Sequence, residues 1–192
     1  QHAGDPVMKK RAEIMINWLL ADFFIDYLDG VYCGAHSRLY EVDILDKRQS
    51  MTTKMAAFFL GDRPLFDGQG KPQNFLGNCL VFALSDYKLP DILYRIATDR
   101  SQSYESRERK RSRNRIRYYD ERNPAVNKYD YMTAEYSLGS VQWGHTEQIL
   151  QHTWALNWRA GKPGEVTTLF TLHPYYSERD MCSLFTALRS TV

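Results

Sequence analysis

The sequence predicts an α+β fold in which helical hairpins precede antiparallel strands. Apolar residues recur at helical spacing over the first hundred residues, whereas the second half is rich in Thr, Val, Leu, Phe and Trp between turn residues. A chain of 192 residues, of which 43% are hydrophobic, is long and apolar enough to bury a sizeable core. We expect a helical part over residues 1–118 and a β part over 119–192, with the change near 118–130.

The first helix is predicted to begin at Asp5 and Pro6, because an N-cap aspartate and a proline in the first turn both favour helix initiation. Apolar residues then recur at spacings of three and four up to Leu28, and Gly30 provides the stop. Apolar residues also occupy its other faces, so this helix must be covered on more than one side.

Three shorter helices are predicted to follow, each from local start and stop residues. The second begins behind Ser50 and ends before Gly61, and the fourth opens at Leu89 and Pro90. The expected ranges are Met51 to Leu60, Asn74 to Leu84, and Pro90 to about Thr98.

Two antiparallel strands are predicted at residues 148–158 and 165–174, joined by the five-residue turn Ala-Gly-Lys-Pro-Gly. In the first strand, alternation predicts that Trp154, Leu156 and Trp158 face a core together with His152. Residues 181–188 fit a strand or a short helix.

Positive charge is concentrated in one segment. The chain has 25 Lys and Arg against 23 Asp and Glu, and nine of the basic residues but only four of the acidic ones fall within residues 100–122. Clustered guanidinium groups suit phosphate, sulfate and carboxylate alike, so this segment could hold a nucleic acid or an acidic polysaccharide. Interspersed Ser and Glu favour the alternative, a solvated linker between the helices and the strands.

Cysteine usage and the apolar stretches exclude other classes. Cys33, Cys79 and Cys182 are widely separated, which favours buried thiols over a disulfide framework. The longest apolar stretch, 14–28, is interrupted by acidic residues and is too short for a membrane span. The chain opens without Met or a signal-peptide pattern, and we expect it to be a piece of a longer protein.

A loop after the first helix carries the most concentrated set of reactive groups. His36, Arg38 and Tyr40 provide a proton acceptor, a permanent cation and a phenol within five residues. Spacing alone does not assign them a role, because a loop histidine is more often structural.

Several segments together resemble bacterial heparinase II/III-like polysaccharide lyases. These are Gly-Ala-His-Ser-Arg-Leu-Tyr ending at Tyr40, the run from Tyr131 to Gln142, Gln-His-Thr-Trp-Ala-Leu beginning at Gln151, and Thr-Leu-His-Pro ending at Pro174. The resemblance implies an incomplete (α/α) toroid of helical hairpins followed by a β-sandwich. Four helices and two or three strands are too few for both, which also indicates a piece of a larger chain.

The resemblance implies β-elimination on a uronic-acid-containing polysaccharide. An Arg, Asn or His neutralises the uronate carboxylate, a Tyr or His removes the adjacent proton, and a Tyr protonates the departing oxygen. This scheme requires no metal or other cofactor, and it implies a periplasmic or secreted protein. The expected catalytic residues are His36, Tyr40 and Tyr136, and the expected substrate-binding residues are Arg38, Tyr131, Gln142 and His145.

Other functions remain open from the residues. The Arg-rich segment could serve a non-catalytic module that holds an anionic glycan, and Asp43 with Asp46 could serve a glycoside hydrolase on a toroid scaffold. Nucleic-acid binding is disfavoured, because the rest of the chain is slightly acidic and carries no nucleic-acid motif. We expect no membrane partner. Tyr131 and Tyr136 could instead pack where the helical and β parts meet.

Overall fold

The computed structural model describes residues 4–35, 47–61, 69, 76–110, 125–143, 154–161 and 165–170. Over these residues the fold is mixed α+β, with four α-helices, a two-stranded hairpin and a five-stranded antiparallel sheet. The helices are α1 (Pro6–Phe24), α2 (Met51–Leu60), α3 (Leu76–Ala83) and α4 (Asp91–Thr98), and a 3-10 turn spans Lys47–Gln49. The strands are β1 (Tyr27–Leu28), β2 (Val31–Tyr32), β3 (Tyr104–Lys110), β4 (Val126–Met132), β5 (Tyr136–Trp143), β6 (Trp154–Arg159) and β7 (Val166–Phe170).

Helix α1 begins as predicted but ends earlier than predicted. The Asp5 carboxylate accepts a 2.8 Å hydrogen bond from the Val7 N–H, which caps the first turn. The helix ends at Phe24, and the chain then forms the β1–β2 hairpin around Asp29 and Gly30, both at positive φ. An Asp-Gly pair with two positive φ angles is typical of a tight hairpin turn. The predicted extension of the helix to Leu28 was wrong, because residues 27 and 28 form the first strand of this hairpin.

The shorter helices follow their local signals. Helix α2 spans the predicted residues, with Ser50 accepting a hydrogen bond from the Thr53 N–H and Gly61 in the left-handed region at φ 67°. Helices α3 and α4 lie within the predicted ranges. No helix in the described ranges is long and apolar enough to cross a membrane.

The first strand of the large sheet, β3, lies inside the Arg-rich segment. The linker prediction was therefore wrong for 104–110, and the change from helices to sheet falls between Thr98 and Tyr104 rather than at 118–130. Strands β4 and β5 were not predicted either. The inward positions of β3 carry Ser106 and Glu108 besides Tyr104, so the strand lacks the apolar alternation that would have revealed it. Whether the helices and the sheet are separate domains stays a prediction.

The large sheet is a meander in the order β3-β4-β5-β6-β7. Its inner face packs on the β1–β2 hairpin, where Met132 of β4 joins Leu28, Val31 and Cys33 in a buried cluster. A second core joins α1, α2 and α4 around Phe24. Over the described residues the sheet thus has one covered face and one open face.

The predicted inward face of β6 was wrong. Ala155 and Asn157 are fully buried, whereas Trp158 is 37% exposed on the opposite face. The inward residues lie beside Gly139 and Ser137 of β5, where the neighbouring hairpin leaves room only for small or hydrogen-bonded side chains. The cysteine prediction was confirmed where it can be checked. Cys33 and Cys79 are buried free thiols, and Cys182 lies outside the described residues.

Candidate functional site

Two of the predicted site residues, Tyr131 and Tyr136, lie together on the open face of the sheet. Their ring centroids are 6.1 Å apart at an interplanar angle of 47°, and Tyr136 is 38% exposed. Gln142 lies in β5, but its side chain is not among those that the structure describes. The other predicted site residues, His36, Arg38, Tyr40 and His145, also lie outside the described residues, as do Asp43 and Asp46.

The open face, here called the outer face, carries a row of further aromatic and apolar side chains. Strand register places Tyr131 beside Leu138, and Tyr136 beside Trp158. The outer face is defined by the outward residues of the sheet and the cations of β3; the outward residues are Tyr129, Tyr131, Tyr136, Leu138, Trp154, Leu156, Trp158 and Leu169. Four of these side chains, Tyr136, Leu138, Trp158 and Leu169, are exposed within the described part of the chain, and exposed apolar patches are typical of contact sites for a ligand or another protein.

Two arginines extend the outer face at its β3 edge. The Arg107 guanidinium lies 5.6 Å from the centroid of the Tyr129 ring, an arrangement that holds a cation beside an aromatic surface. Arg107 also pairs with Glu105 at 2.8 Å, and both side chains are exposed. Arg109 is the next outward residue of the same strand and is exposed as well. The outer face thus combines flat aromatic rings with positive charge.

The inner face of the sheet holds an ionic cluster that the sequence did not reveal. The ammonium of Lys128 contacts the carboxylate of Asp26 and lies 3.3 Å from Glu108 and 3.4 Å from Asp130. It also donates a 3.1 Å hydrogen bond to the hydroxyl of Tyr32. Asp26 and Asp130 are fully buried, and only 6% of the Lys128 side chain is exposed.

A second lysine continues this cluster toward the surface. Lys110 lies 2.6 Å from Asp22 and 3.0 Å from Glu108. The inner ionic cluster therefore joins four carboxyl groups to two lysines: Asp22, Asp26, Glu108 and Asp130 with Lys110 and Lys128. Because the acids outnumber the lysines, the cluster is neutral only if two of its carboxyl groups keep a proton.

The pKa values of three of the four carboxyl groups in the inner ionic cluster are raised, whereas that of Asp22 is lowered, because hydrogen bonds from Glu108 and Lys110 outweigh its burial. Burial, followed by the negative charge of Asp26, raises the pKa of Asp130 to about 8. Burial likewise raises the pKa of Asp26, and burial together with a hydrogen bond that protonated Glu108 donates to Asp22 raises the pKa of Glu108. Asp26 Oδ1 and both oxygens of Asp130 have no hydrogen-bond donor among the described residues, and a proton that Asp130 donates to Asp26 would satisfy two of these three oxygens.

Two glycines make room for the Asp130 carboxyl group. A Cβ atom at Gly139 would overlap Asp130 Oδ1 and the Cα of Gly34, and a Cβ at Gly34 would overlap the same carboxyl. Gly34 is also at φ +81°, where L side chains are strained. The close approach of β5 to the chain after β2 therefore depends on both glycines.

Two clefts meet at Glu108. One, of about 600 Å³, lies between α1 and β3, with Trp18 and Ile25 on its apolar wall and Asp22 and Lys110 on its polar wall. The other, of about 610 Å³, includes Arg107, Arg109 and Tyr129 and reaches the outer face. No group of three His, Cys, Asp or Glu residues within the described ranges could hold a metal ion.

Comparison with known proteins adds no identity: no family model, curated protein or solved structure matches the chain. The sequence identified the Arg-rich segment as a possible anion site but favoured a linker there, so it did not place Arg107 and Arg109 on a strand beside the tyrosines. The sequence analysis also did not single out Lys128 and Asp130 as site residues. Their spacing of two within Val-Asn-Lys-Tyr-Asp-Tyr-Met could have indicated a strand with charged residues on one face.

Proposed function

We propose that the chain is part of a carbohydrate-active enzyme of the heparinase-like polysaccharide lyase type, which holds a uronate-containing polysaccharide against the outer face. The observation that carries the proposal is the combination of exposed aromatic rings with Arg107 packed over Tyr129. The C–H faces of sugar rings pack on aromatic side chains, and guanidinium groups pair with carboxylates or sulfates in two-pronged contacts.

The spacing of these groups suits a chain of sugars rather than a single one. Arg107 and Tyr136 are separated by two strand spacings across the sheet and by four residues along it. With strands about 4.8 Å apart and about 3.4 Å per residue, the two Cα atoms are roughly 17 Å apart. Several linked sugar units fit along this line, with their carboxylates toward Arg107 and Arg109.

The proposed reaction is β-elimination. A base removes the proton beside the uronate carboxylate, the electrons of that C–H bond form a carbon–carbon double bond, and the glycosidic C–O bond breaks. Tyr136, with an exposed side chain, is the proposed acid or base on the sheet. Its proposed partners are His36, Arg38 and Tyr40, which lie outside the described residues. Tyr131, in contact with Tyr136, is proposed to position the sugar.

The toroid and sandwich architecture remains part of the proposal. Helices and the β1–β2 hairpin already cover the inner face, so a second sheet would pack on the outer face over Leu138, Leu156 and Leu169. These three residues lie side by side on β5, β6 and β7. The part formed by Arg107, Tyr129, Tyr131 and Tyr136 would then remain open to substrate.

Binding and cleavage can be tested separately on the full chain. The protein is titrated with a uronate-containing polysaccharide and with the same polysaccharide after reduction of its carboxylates. We expect binding only to the charged form, weakened at least tenfold in an Arg107→Gln/Arg109→Gln variant. A Lys9→Gln/Lys10→Gln variant removes the same charge from α1, away from the sheet, and should bind as the wild type does.

Cleavage is followed by the ultraviolet absorbance of an unsaturated product. We expect Tyr136→Phe to lose the signal while keeping affinity, and Tyr94→Phe, an exposed tyrosine on α4, to keep both. Binding without product in the wild type would support the non-catalytic glycan-binding module instead. Absence of binding across a panel of uronate polysaccharides would overturn both forms of the proposal.

A further inference from the structure

A buried lysine and a buried asparagine meet beneath the sheet, far apart in sequence. The Nζ atom of Lys47, in the 3-10 turn before α2, lies 2.9 Å from Oδ1 of Asn157 on β6, 110 residues away. Lys47 is 8% exposed and Asn157 is fully buried. Lysine is rarely buried to this extent without an ionised partner, and within the described ranges its direct hydrogen-bond partner is a neutral amide.

The surroundings of this pair favour a reactive amine. Burial lowers the pKa of Lys47, which increases the fraction of neutral, nucleophilic amine. The Thr168 hydroxyl donates a 2.9 Å hydrogen bond to the same Asn157 Oδ1 and so polarises the amide carbonyl. The Asn157 Nδ2 atom has no hydrogen-bond partner among the described residues, nor does the hydroxyl of Ser137, its cross-strand neighbour. The amide nitrogen is therefore not held by the described residues.

We propose that Lys47 and Asn157 form an intramolecular isopeptide bond once the chain has folded. The neutral Nζ attacks Cγ of Asn157, an Nζ–Cγ bond forms and the Cγ–Nδ2 bond breaks. One amine proton stays on the new amide, and the other leaves with Nδ2 as ammonia. No oxidant, reductant or cofactor is needed, because the two side chains supply every atom and the folded structure supplies the proximity.

The bond would join the start of the α2 segment to the sheet. It would close a loop of 110 residues, and closing a long loop removes conformational freedom from the unfolded chain. It would also convert a buried amine, which destabilises the fold when charged, into a neutral amide. This inference does not depend on the proposed glycan function, because the pair lies on the inner side of the sheet.

Mass spectrometry of the full chain tests the proposal. We expect the folded protein to weigh one ammonia less than its sequence predicts, and a tryptic digest to contain a branched peptide that joins Lys47 to Asn157. Fragmentation of the branched peptide is required, because cyclisation of an N-terminal glutamine such as Gln1 also releases ammonia. Recovery of linear peptides with unmodified Lys47 and Asn157, after incubation of the folded protein at pH 7 and pH 9, would overturn the proposal.

Matched variants locate the reacting groups. Lys47→Arg keeps a cation but removes the nucleophile, so it should abolish the branched peptide. Lys54→Arg changes a lysine of α2 outside this pair and should leave the branched peptide intact. Thr168→Val should slow bond formation at least tenfold in a time course after refolding, and an unchanged rate would remove Thr168 from the mechanism. A branched peptide that persists in Lys47→Arg would refute the assignment.

Discussion

Replacing Lys128 by Met tests whether the inner ionic cluster is held together by this one cation. Methionine has nearly the same length but no charge, so the change leaves Asp26, Asp130 and Glu108 without their central partner. Removing one member of a buried ion pair costs about 3–5 kcal/mol, because the remaining charges stay buried and uncompensated. A domain of this size is stable by about 5–15 kcal/mol, so the variant should lose a large part of its stability.

Urea unfolding, followed by tryptophan fluorescence, measures this loss at pH 7. The matched control is Lys10→Met, which removes an exposed pair with Glu13 at 3.1 Å. Because exposed ion pairs contribute about 0–1 kcal/mol, the control should unfold close to the wild-type midpoint. The penalty of Lys128→Met should shrink as the pH is lowered from 7 to 5, because burial raises the pKa of Asp26 and a protonated Asp26 no longer needs the lysine.

A second substitution separates charge from packing. Asp26→Asn in the Lys128→Met background removes one of the two fully buried acids and should recover part of the lost stability. The reasoning would be refuted if Lys128→Met cost no more than Lys10→Met, or if its penalty were the same at pH 5 and pH 7. Either result would mean that the buried acids are protonated without help from Lys128.

Three further predictions concern single positions. Because burial raises the pKa of Asp130 to about 8, the folded state binds this proton more tightly than the unfolded state does, and wild-type stability should fall as the pH rises from about 4 to about 8. Asp130→Asn should flatten that fall, as measured by urea midpoints across this pH range. Gly139→Ala should lower the unfolding temperature by several degrees or prevent folding, because its Cβ overlaps Asp130 and Gly34, whereas Gly4→Ala, with open space around it, should match the wild type by calorimetry. Ser50→Ala should cost about 1 kcal/mol in chemical unfolding through loss of the cap of α2, and a change below a few tenths would contradict that role.

Local sequence signals predicted the elements that are fixed locally. Helix α2 was predictable from Ser50 and Gly61, because a cap and a left-handed glycine act within a few residues. The end of α1 was not predictable in this way. Asp29-Gly30 is compatible with a helix stop and with a hairpin turn. Asp26, just before the hairpin, contacts Lys128, which lies 102 residues later, and no local pattern could indicate that contact.

The sheet was harder to predict because its inner face is unusually polar. Strand β3 places Ser106, Glu108 and Lys110 inward, and partners on α1 and β4 make those positions favourable. No local sequence pattern indicates such partners, because they lie on other elements of the fold. For the candidate site, the sequence singled out Tyr131 and Tyr136, which the structure brings into contact, while their chemical roles stay a proposal. The arginines beside them could be placed only once the register of β3 and β4 was known.

The notch formed by Gly34 and Gly139 around Asp130 has a consequence for sequence divergence. Both glycines are required while Asp130 keeps its carboxyl group here, and the contact of Gly139 with the Cα of Gly34 and the positive φ of Gly34 require them independently. The aspartate is the more replaceable member, and its loss would remove one reason to keep a lysine at position 128. Related sequences that retain Asp130 should therefore also carry glycine at positions 34 and 139, whereas the reverse need not hold.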